Sequence, residues 1–263
     1  MASIDWGYST SVGRVRERNE DSLVAEAPLF AVADGMGGHA GGGMASKLAI
    51  EALSPLGGSG PIRREDIADA IRHANELILE HARAHDEPGM GTTLAGLALV
   101  SAAGVEHWLA FNVGDSRVYR LADGRLTQIT VDHSEVQELI DQGRLTPAEA
   151  RTHELRSVVT RALGTEPTPE PEWWFLPVVP GERFLVCSDG LSGELEDSDI
   201  LAELETGEIT AVADTLVRRA VDAGGRDNVS VIAIEVRAPV DNDRDGPDED
   251  TRPRLPLRLG RRR

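Results

Sequence analysis

The sequence predicts an α+β fold in which antiparallel sheet is covered by helices. Strand-like apolar runs follow one another through short turns such as SAAG and ADGR, and segments with helical periodicity are grouped between these hairpins. Strands joined by short turns pair antiparallel, whereas a parallel sheet needs a long crossover after each strand. We therefore expect antiparallel sheets and no doubly wound parallel sheet.

The individual elements follow from the hydrophobic period and the turn residues. Apolar runs bounded by turn residues predict strands over 23–26, 29–33, 93–101, 105–113, 117–122, 126–130, 183–188 and 229–236. Helical spacing predicts helices over 43–56, 65–85, 134–142, 147–154, 198–205 and 209–223. The last helix carries one apolar stripe before a Gly-Gly stop, formed by Ile209, Val212, Ala213, Leu216 and Val217.

Charge and composition limit the possible partners. The 263 residues carry a formal net charge of −18, so the attraction that holds most nucleic-acid-binding proteins to phosphates would here be a repulsion. No apolar run approaches the roughly 20 residues that cross a bilayer, and the N-terminal residues do not resemble a signal peptide. We therefore expect no nucleic-acid partner, no membrane span and a cytoplasmic protein. Cys187 is the only cysteine, so no internal disulfide can form.

The chain is expected to form one folded domain over 1–238, followed by a charged tail over 239–263. In the tail, an acidic stretch with Pro and Gly gives way to a basic stretch ending in three arginines. Such a composition is typical of disordered segments. We expect the protein to be a monomer.

Five aspartates adjoin the strand-like runs. Asp21 precedes one strand and Asp34 follows the next, and their midpoint lies between Ala27 and Pro28. A hairpin that turns there places the two carboxylates opposite each other, with Cβ atoms about 5 Å apart. Two like charges at this distance repel unless a cation or a shared proton lies between them.

The remaining three acids extend this pattern. Asp189 ends one strand, Asp227 begins another, and Asp115 continues a stripe of alternate apolar residues, which predicts an inward-pointing carboxylate at the end of the sheet. A carboxylate cluster without Cys or His in the runs favours Mg²⁺ or Mn²⁺. Gly35 and the glycines after it would let backbone carbonyl groups approach an ion closely. The alternative is that each aspartate is a separate turn or cap residue.

Other site types fit the sequence less well. Residues 35–40 satisfy the pattern G-x-G-x-x-A, but the next clear strand begins only at about residue 93, after two helices, so the βαβ unit of a dinucleotide site is missing. No P-loop and no G-x-S-x-G motif is present, and Cys187 lacks the arginine of a cysteine-based phosphatase. Arg16 lies five residues before Asp21. A guanidinium beside a cation cluster favours an anion such as a phosphoester between them.

Seven motifs in order carry a family resemblance: GRVRERNED (13–21), VADGMGGHAGG (32–42), GMGTTLAGLAL (89–99), NVGDSRVYRL (112–121), VTRALG (159–164), LVCSDGL (185–191) and GGRDNVSVIAIEV (224–236). Together they resemble the metal-dependent protein phosphatases of the PPM (protein phosphatase 2C) family, particularly its bacterial branch, over about residues 5–236. The resemblance implies an α/β/β/α sandwich of two antiparallel sheets with a metal-lined cleft at one end.

The resemblance also assigns roles to residues. It implies that two Mg²⁺ or Mn²⁺ ions are held by Asp21, Asp34, Asp189, Asp227 and the carbonyl group of Gly35. It implies hydrolysis of phosphoserine and phosphothreonine in proteins by a water that bridges the two ions, with Arg16 gripping the phosphate. The expected catalytic residues are Arg16, Asp34 and Asp227.

The same resemblance implies a flap over about residues 131–163. A third, weaker ion would lie between Asp115 and Asp189, with the flap near Ser157 closing over it. The general acid is left unassigned, because Met36 stands where eukaryotic members carry a histidine.

Phosphorylated proteins are the expected substrates, and Ser/Thr kinases are the expected opposing enzymes. Two alternatives remain open: a phosphatase of small phosphoesters with the same fold, and a catalytically silent binding module. A silent member normally lacks metal ligands, whereas all five aspartates are present in this chain.

Overall fold

The computed structural model describes residues 3–37, 41–58, 60, 62–102 and 104–237. The strands are β1 (Ser3–Ser11), β2 (Asp21–Glu26), β3 (Leu29–Met36), β4 (Gly91–Thr92), β5 (Leu94–Ala102), β6 (Val105–Val113), β7 (Arg117–Ala122), β8 (Arg125–Gln128), β9 (Glu172–Pro177), β10 (Arg183–Cys187) and β11 (Val229–Arg237). The α-helices are α1 (Gly41–Leu53), α2 (Arg64–His85), α3 (Glu135–Asp141), α4 (Pro147–Ala150), α5 (Asp189–Ser192), α6 (Asp197–Thr206) and α7 (Ile209–Ala223). The predicted tail over 239–263 lies outside the described residues.

The strands form two antiparallel sheets. The first has the order β1-β11-β10-β7-β8, and the second has the order β2-β3-β5-β6-β9, with the short β4 paired to β3. Because β3 pairs antiparallel with β5, no parallel βαβ unit follows the glycine-rich segment. The dinucleotide interpretation of that segment is therefore wrong.

Apolar side chains fill three layers around the sheets. Phe30, Trp108 and Phe184 meet between the two sheets. A second layer packs α1 and α2 onto the outer face of the second sheet, and a third packs α5, α6 and α7 onto the outer face of the first sheet. Alternate residues of one strand serve different layers, as the two-residue period of a strand requires. The predicted α+β class and the α/β/β/α sandwich are confirmed.

Strands β1 and β9 were not predicted from the sequence. Both lie at sheet edges, where each pairs with a single neighbour: β1 with β11 over nine residue pairs, and β9 with β6. An edge strand is stabilised by a partner that is distant in the chain, and its own pattern is correspondingly weak. The expected helix over 147–154 is shorter in the structure, where α4 ends at Ala150.

None of the helices in the described part of the chain is both long enough and apolar enough to cross a membrane.

Candidate metal centre

The β2–β3 hairpin brings the first two aspartates together. Asp21 and Asp34 are direct partners across the antiparallel pair, with the turn at residues 27 and 28. This is the register that the sequence predicted. The two carboxylates therefore lie opposite each other at the open end of the hairpin.

A second pair of aspartates comes from the first sheet. Asp189 directly follows β10 as the first residue of α5, and Asp227 lies two residues before β11 begins. Because β10 and β11 are antiparallel neighbours, the end of one and the start of the other lie at the same edge. These two positions are therefore neighbours at one edge of the first sheet.

Asp115 reaches the site by a different route from the predicted one. Strand β6 ends at Val113, and Gly114 follows with a φ of +112°. The stripe that includes Leu109 and Phe111 faces the helices α1 and α2 and does not face the opposite sheet. The turn at Gly114 redirects the chain, so Asp115 lies at the cleft although the alternation of β6 does not place it there. A Cβ at Gly114 would lie 2.6 Å from Cβ of Thr93, which favours glycine at this position.

The aspartates meet at a cleft of about 200 Å³ between the ends of the two sheets. Its walls include six of the predicted site residues or their backbone: Arg16, Asp34, Gly35, Asp115, Asp189 and Asp227. Asp21 lies beside the cleft as the hairpin partner of Asp34. Ser157 and Val159, from the segment 131–163, also line the cleft.

Gly35 has a packing role that the sequence did not predict. A Cβ at this position would overlap the carbonyl oxygen of Gly42 in α1 and would come within 2.7 Å of the carbonyl oxygen of Glu20. The backbone N–H of Gly35 also donates to that oxygen of Glu20. Glycine at this point therefore lets α1 and the start of β2 pack against the end of β3.

The clustered carboxylates perturb one another. Burial raises the pKa of Asp34 well above its ordinary value, and the charges of Asp21 and Asp189 add to the rise. Burial raises the pKa of Asp115 in the same way, with the charge of Asp189 as the next cause. The pKa of Asp189 is raised first by burial and then by the charge of Asp227. Such a set is stabilised by cations, because bound positive charge opposes both the burial cost and the repulsion.

Two carboxylate oxygens provide a direct test of whether the site suits a metal ion. Oδ1 of Asp21 and Oδ1 of Asp189 are buried and accept no hydrogen bond from the residues that the structure describes. An unpartnered buried carboxylate oxygen is costly, and a hard divalent cation is the ligand that oxygen donors of this kind prefer. The residues present therefore fit Mg²⁺ or Mn²⁺.

The carboxylate oxygens of the cleft do not surround a common point at which an ion would be bound. Among the described residues, no group of three His, Cys, Asp or Glu side chains is arranged as a ready ion-binding set. Two of the carboxylates are engaged by neighbours: Ser188 donates to Asp21 and Arg16 pairs with Asp227. The bond from Ser188 leaves Oδ1 of Asp21 without a partner among the described residues, whereas Arg16 occupies Oδ2 of Asp227.

Arg16 lies at the mouth of the cleft. Its Nη2 atom is 2.8 Å from Oδ2 of Asp227, and about half of the side chain, 54%, remains exposed. The hydrogen bond from Arg16 to Asp227 is the main cause that raises the pKa of the guanidinium. An exposed guanidinium beside the carboxylates can reach an anion that enters from solvent.

Sequence reasoning missed several polar residues that support the aspartates. Asn228 accepts the N–H of Glu20 and donates to the carbonyl oxygens of Val12 and Arg18, which ties the loop that carries Arg16 to the start of β11. The only feature of the sequence that could have pointed to Asn228 was its position directly after Asp227.

On the other side of the cleft, the N–H of Asp34 donates to Oγ1 of Thr93, which is 2.7 Å from Oγ of Ser116. Ser116 adjoins Asp115, so this contact links two of the carboxylate-bearing segments. Ser116 could likewise have been noticed in the sequence only because it directly follows Asp115.

Comparison with known proteins agrees with this architecture. A family model described as protein phosphatase 2C matches residues 10–221. The serine/threonine protein phosphatase PstP of Mycobacterium tuberculosis is 43% identical over 230 residues, which cover 85% of this chain and 43% of that protein. The serine/threonine phosphatase stp of Listeria monocytogenes is 34% identical over 243 residues, which cover 87% of this chain and 94% of that protein.

A solved structure of the catalytic domain of PstP in complex with two manganese ions superimposes with a TM-score of 0.81 at 38% identity, covering 90% of this chain and 100% of that one. The sandwich and its acidic cleft thus define a two-sheet domain whose clustered carboxylates suit divalent metal ions. The chain belongs to the protein phosphatase 2C family. It spans 43% of the length of mycobacterial PstP.

Proposed function

We propose that the chain is a metal-dependent phosphatase that hydrolyses phosphoserine and phosphothreonine in proteins. The observation that carries the proposal is the convergence of carboxylates from both sheets on one cleft that has an arginine at its mouth. The related structure of PstP, which contains two manganese ions, supports a binuclear centre here. The ligands we propose are Asp21, Asp34, Asp189, Asp227 and the carbonyl oxygen of Gly35.

The bound ions would supply positive charge beside the phosphoryl oxygens and a water acidic enough to serve as the nucleophile near neutral pH. The protein's own side chains would bind the phosphate and orient it. The guanidinium of Arg16 leaves Asp227 and binds the phosphate with its planar donors, a geometry that suits phosphate oxygens. Without cations, the carboxylates of the cleft would repel a phosphate dianion, so substrate binding is expected to depend on metal.

The cleft also favours a phosphate displayed on a protein chain. Arg16 is exposed at its mouth, and Ser157 and Val159 from the segment 131–163 form part of its wall. A phosphorylated side chain can enter such an opening while the rest of the polypeptide stays outside. We propose that this segment is a flap over the site.

A third, weaker ion is proposed between Asp115 and Asp189. Burial has the larger effect in raising the pKa of Asp115, and the charge of Asp189 raises it further. Both residues line the cleft beside the proposed flap. A cation between them would remove the repulsion.

The physiological setting is proposed on the same basis. The substrates would be proteins phosphorylated by Ser/Thr kinases, and the enzyme would act in the cytoplasm as a monomer whose catalytic domain covers residues 1–238. The names of the mycobacterial and Listeria relatives support the substrate class.

The test compares phosphoserine, phosphothreonine and phosphotyrosine peptides side by side with a small phosphoester, first with Mn²⁺ and then with excess chelator. We expect hydrolysis of the first two peptides with Mn²⁺ and none with chelator. Full activity in chelator would refute the metal mechanism. Hydrolysis of the small ester alone would indicate a small-molecule phosphatase, and no hydrolysis at all would indicate a binding module.

A further inference from the structure

A buried serine connects the two halves of the site. Ser188 directly follows β10 of the first sheet, lies between that strand and Asp189, and is fully buried. Its hydroxyl donates to Oδ2 of Asp21, at 2.9 Å, although Asp21 belongs to the second sheet. This hydrogen bond therefore crosses between the sheets at the point where their carboxylates meet.

The direction of that hydrogen bond is fixed by a second contact. The N–H of Ser230 in β11 donates to Oγ of Ser188 at 2.9 Å, and the N–H of Ser188 donates to the carbonyl oxygen of Ser230 at 3.1 Å. Because Oγ accepts from one side, its hydrogen is directed to the carboxylate. Ser188 is thus held in one orientation by rigid strands.

The contact also distinguishes the two oxygens of Asp21. Oδ2 accepts from Ser188, whereas Oδ1 is buried and has no hydrogen-bond partner among the described residues. The oxygen left for a cation is therefore Oδ1. A carboxylate whose second oxygen is hydrogen-bonded cannot rotate freely, and groups that orient metal ligands in this way affect affinity strongly.

We propose that Ser188 is a positioning residue for the metal centre: it locks the Asp21 carboxylate across the junction of the sheets and leaves Oδ1 as the oxygen that binds an ion. The inference rests on the proposed metal-dependent function and adds to it a residue outside the ligand set. A role in folding alone would lower stability without a specific effect on metal affinity, which makes the two roles separable.

The test measures Mn²⁺ affinity by calorimetry on the full chain for the unsubstituted protein, Ser188→Ala and a matched control, Thr130→Ala. Thr130 is also buried, and its Oγ1 likewise accepts a backbone N–H, from Val118 at 3.0 Å, but no aspartate of the centre is bonded to it. Both variants lose a buried hydroxyl and should lose similar thermal stability. Only Ser188→Ala should bind Mn²⁺ more weakly, on the order of 10-fold or more.

Kinetics with an aryl phosphate add a second readout. At saturating Mn²⁺, Ser188→Ala should recover much of its kcat with an unchanged KM, because Arg16 and the mouth of the cleft are untouched. If Ser188→Ala does not fold, Ser188→Cys decides, since a thiol keeps the size and donates weakly; it should also bind Mn²⁺ more weakly than the unsubstituted protein.

Three outcomes are decisive. Weaker Mn²⁺ binding in the Ser188 variant, with unchanged binding in the control, supports the proposal. Equal affinity in the unsubstituted protein and the Ser188 variant overturns the role of Ser188 and leaves the proposed function intact. Absence of Mn²⁺ binding by the unsubstituted protein overturns the metal centre itself and the role of Ser188 with it.

Discussion

Replacing Asp21 by asparagine should stabilise the chelator-treated protein and destabilise the Mn²⁺-loaded protein. The reason is that Asp21 carries a charge which the folded protein buries beside other carboxylates and which a cation would neutralise. The amide oxygen of asparagine can still accept the hydrogen bond from Ser188, so the substitution removes the charge and keeps that contact.

The size of the effect follows from the pKa of Asp21. Burial raises this pKa from 3.8 to about 7, and the nearby hydroxyl groups of Ser230 and Ser188 oppose the rise. Because a tenfold change in proton affinity corresponds to about 1.4 kcal/mol, the ionised carboxylate costs the metal-free folded protein up to about 4 kcal/mol above pH 7. The folded-state pKa is the higher one, so the carboxyl favours folding at acid pH, and this contribution is lost as the pH rises from about 4 through about 7.

Thermal unfolding at pH 8 provides the assay. In chelator, Asp21→Asn should melt about 10 °C above the unsubstituted protein, since 1 kcal/mol corresponds to about 2–4 °C for a domain of this size. In saturating Mn²⁺ the order should reverse, because the variant binds the ion less tightly and gains less from it. At pH 5 in chelator the difference between the two proteins should shrink.

The control is Asp222→Asn. Asp222 is exposed and pairs with Arg14, so its loss should change stability by less than about 1 kcal/mol under every condition. If Asp21→Asn were no more stable than the unsubstituted protein in chelator at pH 8, the proposed burial cost of the carboxylate would be wrong.

Four further outcomes are expected. Asp227→Asn should lower turnover by orders of magnitude, since a neutral amide is a weaker ligand than a carboxylate; near-normal kcat would remove Asp227 from the centre. Arg16→Ala should raise KM for a phosphopeptide, whereas Arg14→Ala should not, and equal kcat/KM for both variants would contradict the role of Arg16. Asp115→Ala should retain two tightly bound ions, counted by metal analysis, while losing much of its activity; loss of both ions would place Asp115 in the binuclear centre. Deletion of 239–263 should leave activity and melting temperature unchanged, and a large drop in the latter would show that this segment packs on the domain.

The parts of the site that the sequence predicted are those set by local geometry. The register of Asp21 and Asp34 follows from one tight turn, so the position of the turn fixes both carboxylates. Asp115 lies at the cleft, but not for the reason that the sequence suggested: the period of β6 was extended through Gly114, whose positive φ redirects the chain.

Residues whose role depends on distant partners were missed. Ser188 bonds a residue 167 positions away, and Asn228 bonds residues more than 200 positions away. A serine or an asparagine has no periodic signal in a sequence, and its buried hydrogen bonds exist only once both sheets are in place. The edge strands β1 and β9 were missed for the same physical reason, because their partners are remote.

The pairing of β1 with β11 sets the order in which the chain can become functional. Among the described residues, β1 has only β11 as its sheet neighbour, so residues 3–11 can pair in this sheet only after residues 229–237 have been synthesised. Asp227 is synthesised just before β11. The β2–β3 hairpin, which carries Asp21 and Asp34, can form early from contacts close in sequence, whereas Asp227 can join it only after nearly the whole described chain has been synthesised. A nascent chain would thus bring its first two carboxylates together early and add Asp227 last.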